Sequence, residues 1–330
     1  MVKCRCRRRP GSFSAFPAAP AHIWFFSRHF PVPNTFCHIA VQLPLSRLIC
    51  PGADCRLILL GCLIPDLPWI VQRLGATMPF IDSYHLQLYA VAQASFFLSC
   101  LLALAVALCA ERFIFTFALI AGNCLVHLLL DACQVKWANG VHLFAPFSWR
   151  LLRFDLSWPE HPVWFVLSAA GLLVLFFAWR ESVRRPWPRL AAGQDRRLRL
   201  PRLLMAVLCL LLYCLAPLAF SRQIEREDNG FLATAHEQST RPGKYAEFDR
   251  RPYANGFLTL FGGERLRLVG ILPEKAGLWS VRGYFLSPHT LAVVELHRQS
   301  PFRDWASMLA LTLIALLFVH SLLRSKARSA

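Results

Sequence analysis

The sequence predicts a polytopic α-helical membrane protein with about five to seven membrane segments and one small extracytoplasmic β-rich domain. Three observations predict it. Of 330 residues, 56% are hydrophobic and only 17% charged, and the mean hydropathy is +0.42. Several uncharged runs reach the roughly 20 apolar residues a helix needs to cross about 30 Å of hydrocarbon. The stretch 222–304 has a different composition, with strand and turn signals in place of apolar runs. A soluble enzyme, a collagen-like chain and a disordered chain are excluded.

In chain order, residues 1–33 form a basic extension with Lys3, Arg5, Arg7, Arg8, Arg9 and Arg28 and no acid. Because an outward Phe36 would put these arginines on the wrong side, either they stay inside with a different entry path or the extension stands apart from the working protein. The apolar piece Phe36 to Ile49, interrupted by Pro44 and Arg47, is expected to be a partly inserted helix. Leu57 to Val71 is short and contains Pro65 and Asp66, so it either spans with a defect or re-enters. Five spans follow, Leu86 to Ala110, Phe113 to Leu130, Pro162 to Trp179, Leu203 to Ser221, and Trp305 to Leu323. The organisation expected is thus a helical membrane domain over 34–221, a β-rich domain over 222–304, and a final transmembrane helix with a basic tail over 305–330.

Charge sets the orientation. The formal net charge is +17, and the N-terminal extension, the loop from Arg180 to Arg202 and the tail after Leu323 carry six, six and three of it. Short basic loops beside apolar spans are the positive-inside signal, not a nucleic-acid surface, so no nucleic-acid partner is expected. The loop and tail are then cytoplasmic, and 132–161 and 222–304 lie outside. The expected location is the cell inner (cytoplasmic) membrane, crossed several times, with the lipid bilayer as the constant partner.

Within 222–304, Arg265-Leu266-Arg267-Leu268-Val269, Trp279-Ser280-Val281-Arg282 and Leu291-Ala292-Val293-Val294-Glu295 alternate or are β-branched. Gly262-Gly263, Pro273, Gly277 and Pro288 separate them, which predicts about five strands in a small sheet or barrel, OB-like in size. The twelve cysteines follow no zinc-finger or disulfide spacing, and none falls between Ser221 and Trp305.

Ionisable groups inside spans are costly and few. They are His38, Asp66, His127 and Asp131, with His85 and His142 just past span ends. His127 and Asp131 are four apart, so they share one helix face. The topology brings Asp66, His85, His127, Asp131 and His142 to the outer side. Imidazole and carboxylate are the usual ligands of a catalytic divalent ion, zinc above all. The competing reading is a packing role, since a lone His or Asp in a membrane helix is more often a satisfied helix partner than a ligand. His29, His161, His236, His289, His297 and His320 show no such grouping and are read as structural.

At these residues the chain also resembles a known family. Cys37-His38-Ile39-Ala40, Gly52-Ala53-Asp54-Cys55-Arg56 and Leu60-Gly61-Cys62-Leu63-Ile64-Pro65-Asp66-Leu67-Pro68-Trp69 look like the start of the YdjM-like membrane-bound metal-dependent hydrolases. His127-Leu128-Leu129-Leu130-Asp131, followed by His142-Leu143-Phe144-Ala145-Pro146-Phe147-Ser148, looks like that family's later motif. The resemblance covers about residues 34–160. It implies a divalent metal held by His38, Asp66, His127 and Asp131, with His85 and His142 as auxiliary or acid–base groups. The resemblance implies a metal-dependent hydrolase, and with the site at outer helix ends we expect it to cleave an ester or phosphoester of a lipid or envelope-related substrate at the outer face. Many members carry a His-Arg and a Thr-His-Ser pair between the two blocks, where this chain has Tyr84-His85-Leu86 and Gln93-Ala94-Ser95. That departure implies an altered metal site or substrate. The alternative is a non-enzymatic membrane scaffold or binding protein that uses its outer β-domain, and a transporter is a weaker third.

Overall fold

A computed structural model describes residues 34–78, 80–185, 187 and 196–329. The N-terminal extension with His29, and most of the basic stretch between Arg185 and Arg196, lie outside the described residues.

Among the described residues, ten α-helices and five strands run in the order α1 (Thr35–Ile49), α2 (Cys55–Leu63), α3 (Leu67–Gly75), α4 (Ser83–Gln93), α5 (Phe96–Leu108), α6 (Phe113–Ala132), α7 (Pro162–Arg184), α8 (Arg196–Glu227), α9 (Leu232–His236), β1 (Tyr245–Ala254), β2 (Phe257–Thr259), β3 (Arg265–Gly270), β4 (Gly277–Ser287), β5 (Thr290–Gln299) and α10 (Phe302–Ser329). Among the described residues, five helical stretches are long and apolar enough to cross a membrane, six if the bent pair α4–α5 counts as one span. One of the five, Cys55–Gly75, is α2 and α3 joined by a 3-10 turn at Ile64–Asp66. α8 leaves Leu211, Leu215 and Leu218 exposed. An apolar helix facing outward is what a lipid-facing surface requires.

The uninterrupted span expected over Leu86 to Ala110 is not what forms. α4 and α5 meet at a bend of 68°. Ser95 starts a new helix by accepting from the Leu98 amide at 3.5 Å. The Phe96 amide leaves the ladder for the carbonyl of His142 at 3.4 Å. An acceptor brought from another loop therefore replaces the helical one. α1 has 15 residues and is too short to span alone. It is capped by Asn34, whose side chain accepts from the Phe36 amide, and its residues Thr35 to Ile39, with Gln42 and Leu43, are buried among its neighbours while Leu48 and Ile49 are exposed. Its Phe36 and Ile39 pack with Leu59, Leu175 and Ile314 of α2, α7 and α10.

Two glycines let helices touch. A Cβ on Gly171 of α7 would stand 1.9 Å from the Phe36 carbonyl oxygen, and one on Gly61 of α2 would stand 2.6 Å from the Ile120 carbonyl oxygen of α6. Small residues at such crossings are how membrane-length helices approach closely. At the bundle end bearing Arg47 and Arg56, Arg47 pairs with Glu181 at 2.6 Å and the buried Arg56 pairs with Asp54 at 2.5 Å.

The strands form a closed barrel in the order β1-β2-β3-β5-β4. Every pairing is antiparallel except β3 with β5. This is the OB-barrel order, and a barrel leaves no open sheet edge. The alternation read from the sequence sets the interior: Leu266 and Leu268 of β3 point in, and Arg265 and Arg267 face out or sit at the surface. Phe248, Leu258, Val281, Phe285 and Leu291 complete that core.

The barrel is fixed to the bundle by polar clamps. Glu247 accepts from the Ala138 amide at 2.9 Å and from Arg153 at 3.0 Å. Glu160 accepts from the Ser300 amide at 2.8 Å and faces His297 Nε2 at 3.1 Å, while that imidazole stacks on Trp158 at 3.6 Å. Arg250 sits at a β1 bulge with a positive φ of 50°. That conformation aims its side chain out of the barrel to Asp304, at 2.7 Å, at the start of α10.

Candidate metal centre

Three elements bring the site together. α6 carries His127 and Asp131 one turn apart at its C-terminal end. The 3-10 turn that begins beside Pro65 delivers Asp66, and the close α2–α6 approach at Gly61 fixes its distance from α6. α1 delivers His38, two residues past the carbonyl that touches Gly171.

His38 and His127 are fully buried, and their rings stack in parallel at 3.8 Å. His38 Nε2 lies 3.6 Å from Asp131 Oδ1. His127 Nε2 lies 3.3 Å from Asp66 Oδ1 and 3.7 Å from Asp131 Oδ2. One ligand atom each from His38, His127 and Asp131 fits within 4.8 Å of the others. None of these His–Asp contacts makes a good hydrogen bond, which needs about 2.7 to 3.2 Å between nitrogen and oxygen. They match the edges of a coordination shell, because two donors about 2.0 to 2.1 Å from a tetrahedral zinc stand about 3.4 Å apart. Both ring nitrogens of His38, both of His127, and Asp66 Oδ1 are buried without a hydrogen-bond partner. Buried polar atoms normally have one. The donor set therefore fits a divalent ion that His38, His127 and Asp131 would hold, with Asp66 beside His127.

The structure does not bring His85 to this group. Its side chain is 73% exposed and pairs with Asp82 at 2.5 Å. His85 falls outside because α4 is an independent helix whose exposed face carries it. Gln93, where the family's second histidine would fall, donates to Tyr89 Oη at 3.1 Å and to the Tyr213 carbonyl at 3.3 Å. His142 lies on the loop after α6 and lines a cavity of about 980 Å³ together with Asp131. His161 caps α7, His320 faces Trp179, His236 stacks on Tyr84, and His289 pairs with Glu264.

Two buried residues escape sequence reasoning. Lys136, buried on the loop after α6, donates to Asp131 Oδ1 at 3.0 Å. Burial pulls its ammonium below the ordinary lysine range, and Asp131 opposes that. Gln42 lies one turn beyond His38 on α1, fully buried, with neither amide atom hydrogen-bonded. The i, i+4 spacing from His38 is the signal that could have found it. Lys136 carries none, since a lysine in a polar loop reads as solvated.

Burial also pulls the His142 imidazole from its ordinary 6.5 down to about 4, against a Trp149 backbone hydrogen bond that favours the charged ring. The unfolded chain thus takes up a proton near pH 6.5 that the folded chain refuses until about pH 4. Stability from this group is complete above the higher value and is lost as pH falls toward the lower, by about 3 kcal/mol in all. Thermal unfolding in detergent between pH 7.5 and 4.5 should show that slope, and His142→Gln should flatten it. An unchanged slope in the variant would assign the effect to other groups.

No protein-family profile, curated protein or solved structure matches the chain.

Proposed function

We propose that the chain is a membrane-bound metal-dependent hydrolase acting on an ester or phosphoester at the outer face of the inner membrane, as its resemblance to the YdjM-like hydrolases implies. One observation supports this most: unpartnered imidazole nitrogens and two carboxylates stand at coordination-shell spacing in a buried cluster whose Asp131 lines the cavity. A divalent ion bound there supplies an acidified water and a Lewis acid, and zinc suits the donors best. His38, His127 and Asp131 hold the ion. Asp66 stands 3.3 Å from the same Nε2 of His127 that faces Asp131. Lys136 sets a positive charge beside Asp131 where a substrate oxyanion would lie, and His142 is the neutral base on the cavity wall.

The Lys136–Asp131 pair favours a second reading, a scaffold without metal, since a lysine already balances that carboxylate. Metal content decides between them. Zinc, manganese and iron measured on protein purified in detergent should total about one ion per chain, and none in any preparation would leave the scaffold.

The orientation is tested separately. A reporter fused after Ala330 should be cytoplasmic, and one inserted at Gly263, in a barrel turn, should be outside. The reverse at either position would remove the outer-face assignment.

A further inference from the structure

Two polar stripes face each other between α1 and α6. On α1, His38, Gln42 and Ser46 recur every fourth residue, and on α6 Asn123, His127 and Asp131 do the same, so each set lies along one helix face. The stripes meet at two levels. His38 stacks on His127 at 3.8 Å and faces Asp131 at 3.6 Å, and two turns further along α1 the Ser46 hydroxyl donates to Asn123 Oδ1 at 3.0 Å. Gln42 falls between those levels. It is fully buried, yet neither its amide nitrogen nor its amide oxygen has a hydrogen-bond partner. A buried amide left unpaired is costly, and an apolar side chain of the same length would be the more stable choice for packing alone.

A metal centre gives that amide a use. An imidazole that binds an ion through Nε2 carries its proton on Nδ1, and this N–H normally donates to an acceptor that fixes the tautomer and the direction of the ring. In His38, Nε2 is the nitrogen turned to Asp131, and Nδ1 is buried without a partner. Helical side chains lean over the turn N-terminal to their own Cα, so the unbranched chain of Gln42 lies over the turn that carries His38. Ser168 and Asn123, which bond α1 from α7 and α6, are committed elsewhere as well. Ser168 donates to the Trp164 carbonyl, and Asn123 donates to that of Leu119. A rival acceptor is Gln134 Oε1, also buried and unpartnered. It belongs to the loop after α6 and lines a small cavity beside Cys37, Ser168 and Arg303, not His38.

Resting on the metal-dependent hydrolase reading above, we infer that Gln42 is a positioning residue of the centre: its Oε1 accepts the Nδ1 proton of His38, directly or across one water, and so keeps Nε2 free for the ion. The test measures Zn2+ affinity by chelator competition on the full chain in maltoside micelles, with melting temperatures taken on the same samples after the metal is stripped. Gln42→Met keeps the length and removes the acceptor. It should bind Zn2+ at least tenfold more weakly, the usual size of the effect for such outer partners. Its metal-free form should melt no earlier than the metal-free parent, since an unpaired amide has given way to an apolar chain. Gln42→Glu keeps an acceptor oxygen and should restore the parent's affinity, and Gln134→Met should leave it unchanged. Parent-like Zn2+ binding by Gln42→Met would sink this inference alone and leave the metal centre standing. Weaker binding matched by an earlier metal-free melt would make Gln42 a packing residue and overturn the role, as would a Gln42→Glu protein as weak as Gln42→Met. Affinity lost in Gln134→Met and kept in Gln42→Met would hand the Nδ1 proton to the loop and overturn it too. A parent that binds no metal ion would overturn the hydrolase reading, and this role with it.

Discussion

Asp131→Asn is expected to lower bound metal from about one ion per chain to under a tenth, the largest effect of any single substitution at the site. Asn keeps the shape and removes the anionic charge that a cation needs. Asp131 also faces both histidines, at 3.6 and 3.7 Å, so its loss opens two edges of the shell at once. The substitution has a second consequence, because Lys136 donates to the same carboxylate from a buried position. Removing one partner of a buried ion pair costs about 3 to 5 kcal/mol. The single variant should therefore melt earlier than the parent, and Lys136→Met added to it should recover most of that loss while leaving the protein without metal. If the cluster is only helix packing, the double variant will match the parent in metal content as well as in stability. Measuring both quantities on the three proteins separates a lost ligand from a lost ion pair.

What could be read from the sequence divides along the range of the interactions. His127 and Asp131 were legible because a helix's period alone puts residues four apart on one face. The alternation of Arg265 to Leu268 was legible because a strand's period of two sorts barrel interior from exterior. The 3-10 turn at Asp66 follows from Pro65, which cannot donate to a continuing helix. The break between α4 and α5 was not legible. Nothing in Gln93-Ala94-Ser95-Phe96 forbids a helix, and the acceptor that draws off the Phe96 amide is His142, which folding alone brings there. Lys136 was hidden for the same reason, since a loop residue is buried only once the barrel stands over it. The parallel β3–β5 pairing that closes the barrel is likewise a long-range choice, with Arg267 set opposite Thr290. The sequence sets His85 just outside the Leu86 span, whereas in the fold it lies in the first turn of α4, exposed and paired with Asp82.

Gly171→Ala should cost the site its metal without touching a ligand. α1 cannot hold its own place, since it is too short to span and its polar face carries His38 and Gln42 in buried positions. Its position is set by contact, and at Gly171 that contact is backbone against backbone, with no side chain able to swing aside. A methyl group there would start 1.9 Å from the Phe36 carbonyl oxygen. Relieving it to an ordinary contact needs a shift of well over 1 Å between α1 and α7, in an interior packed too densely to absorb it. Overpacking of this kind costs about 1 to 3 kcal/mol. His38 follows Phe36 by two residues and moves with it, and a displacement of that size takes Nε2 out of the shell that Asp131 and His127 define. Metal sites fail when ligands miss their geometry by much less. Metal affinity should therefore fall at least tenfold, together with a modest drop in melting temperature. Gly122→Ala, on α6 where nothing lies within 4 Å of the added carbon, should leave both unchanged. Full metal occupancy in Gly171→Ala would mean that α1 has room to slide and that His38 is not held where the site needs it.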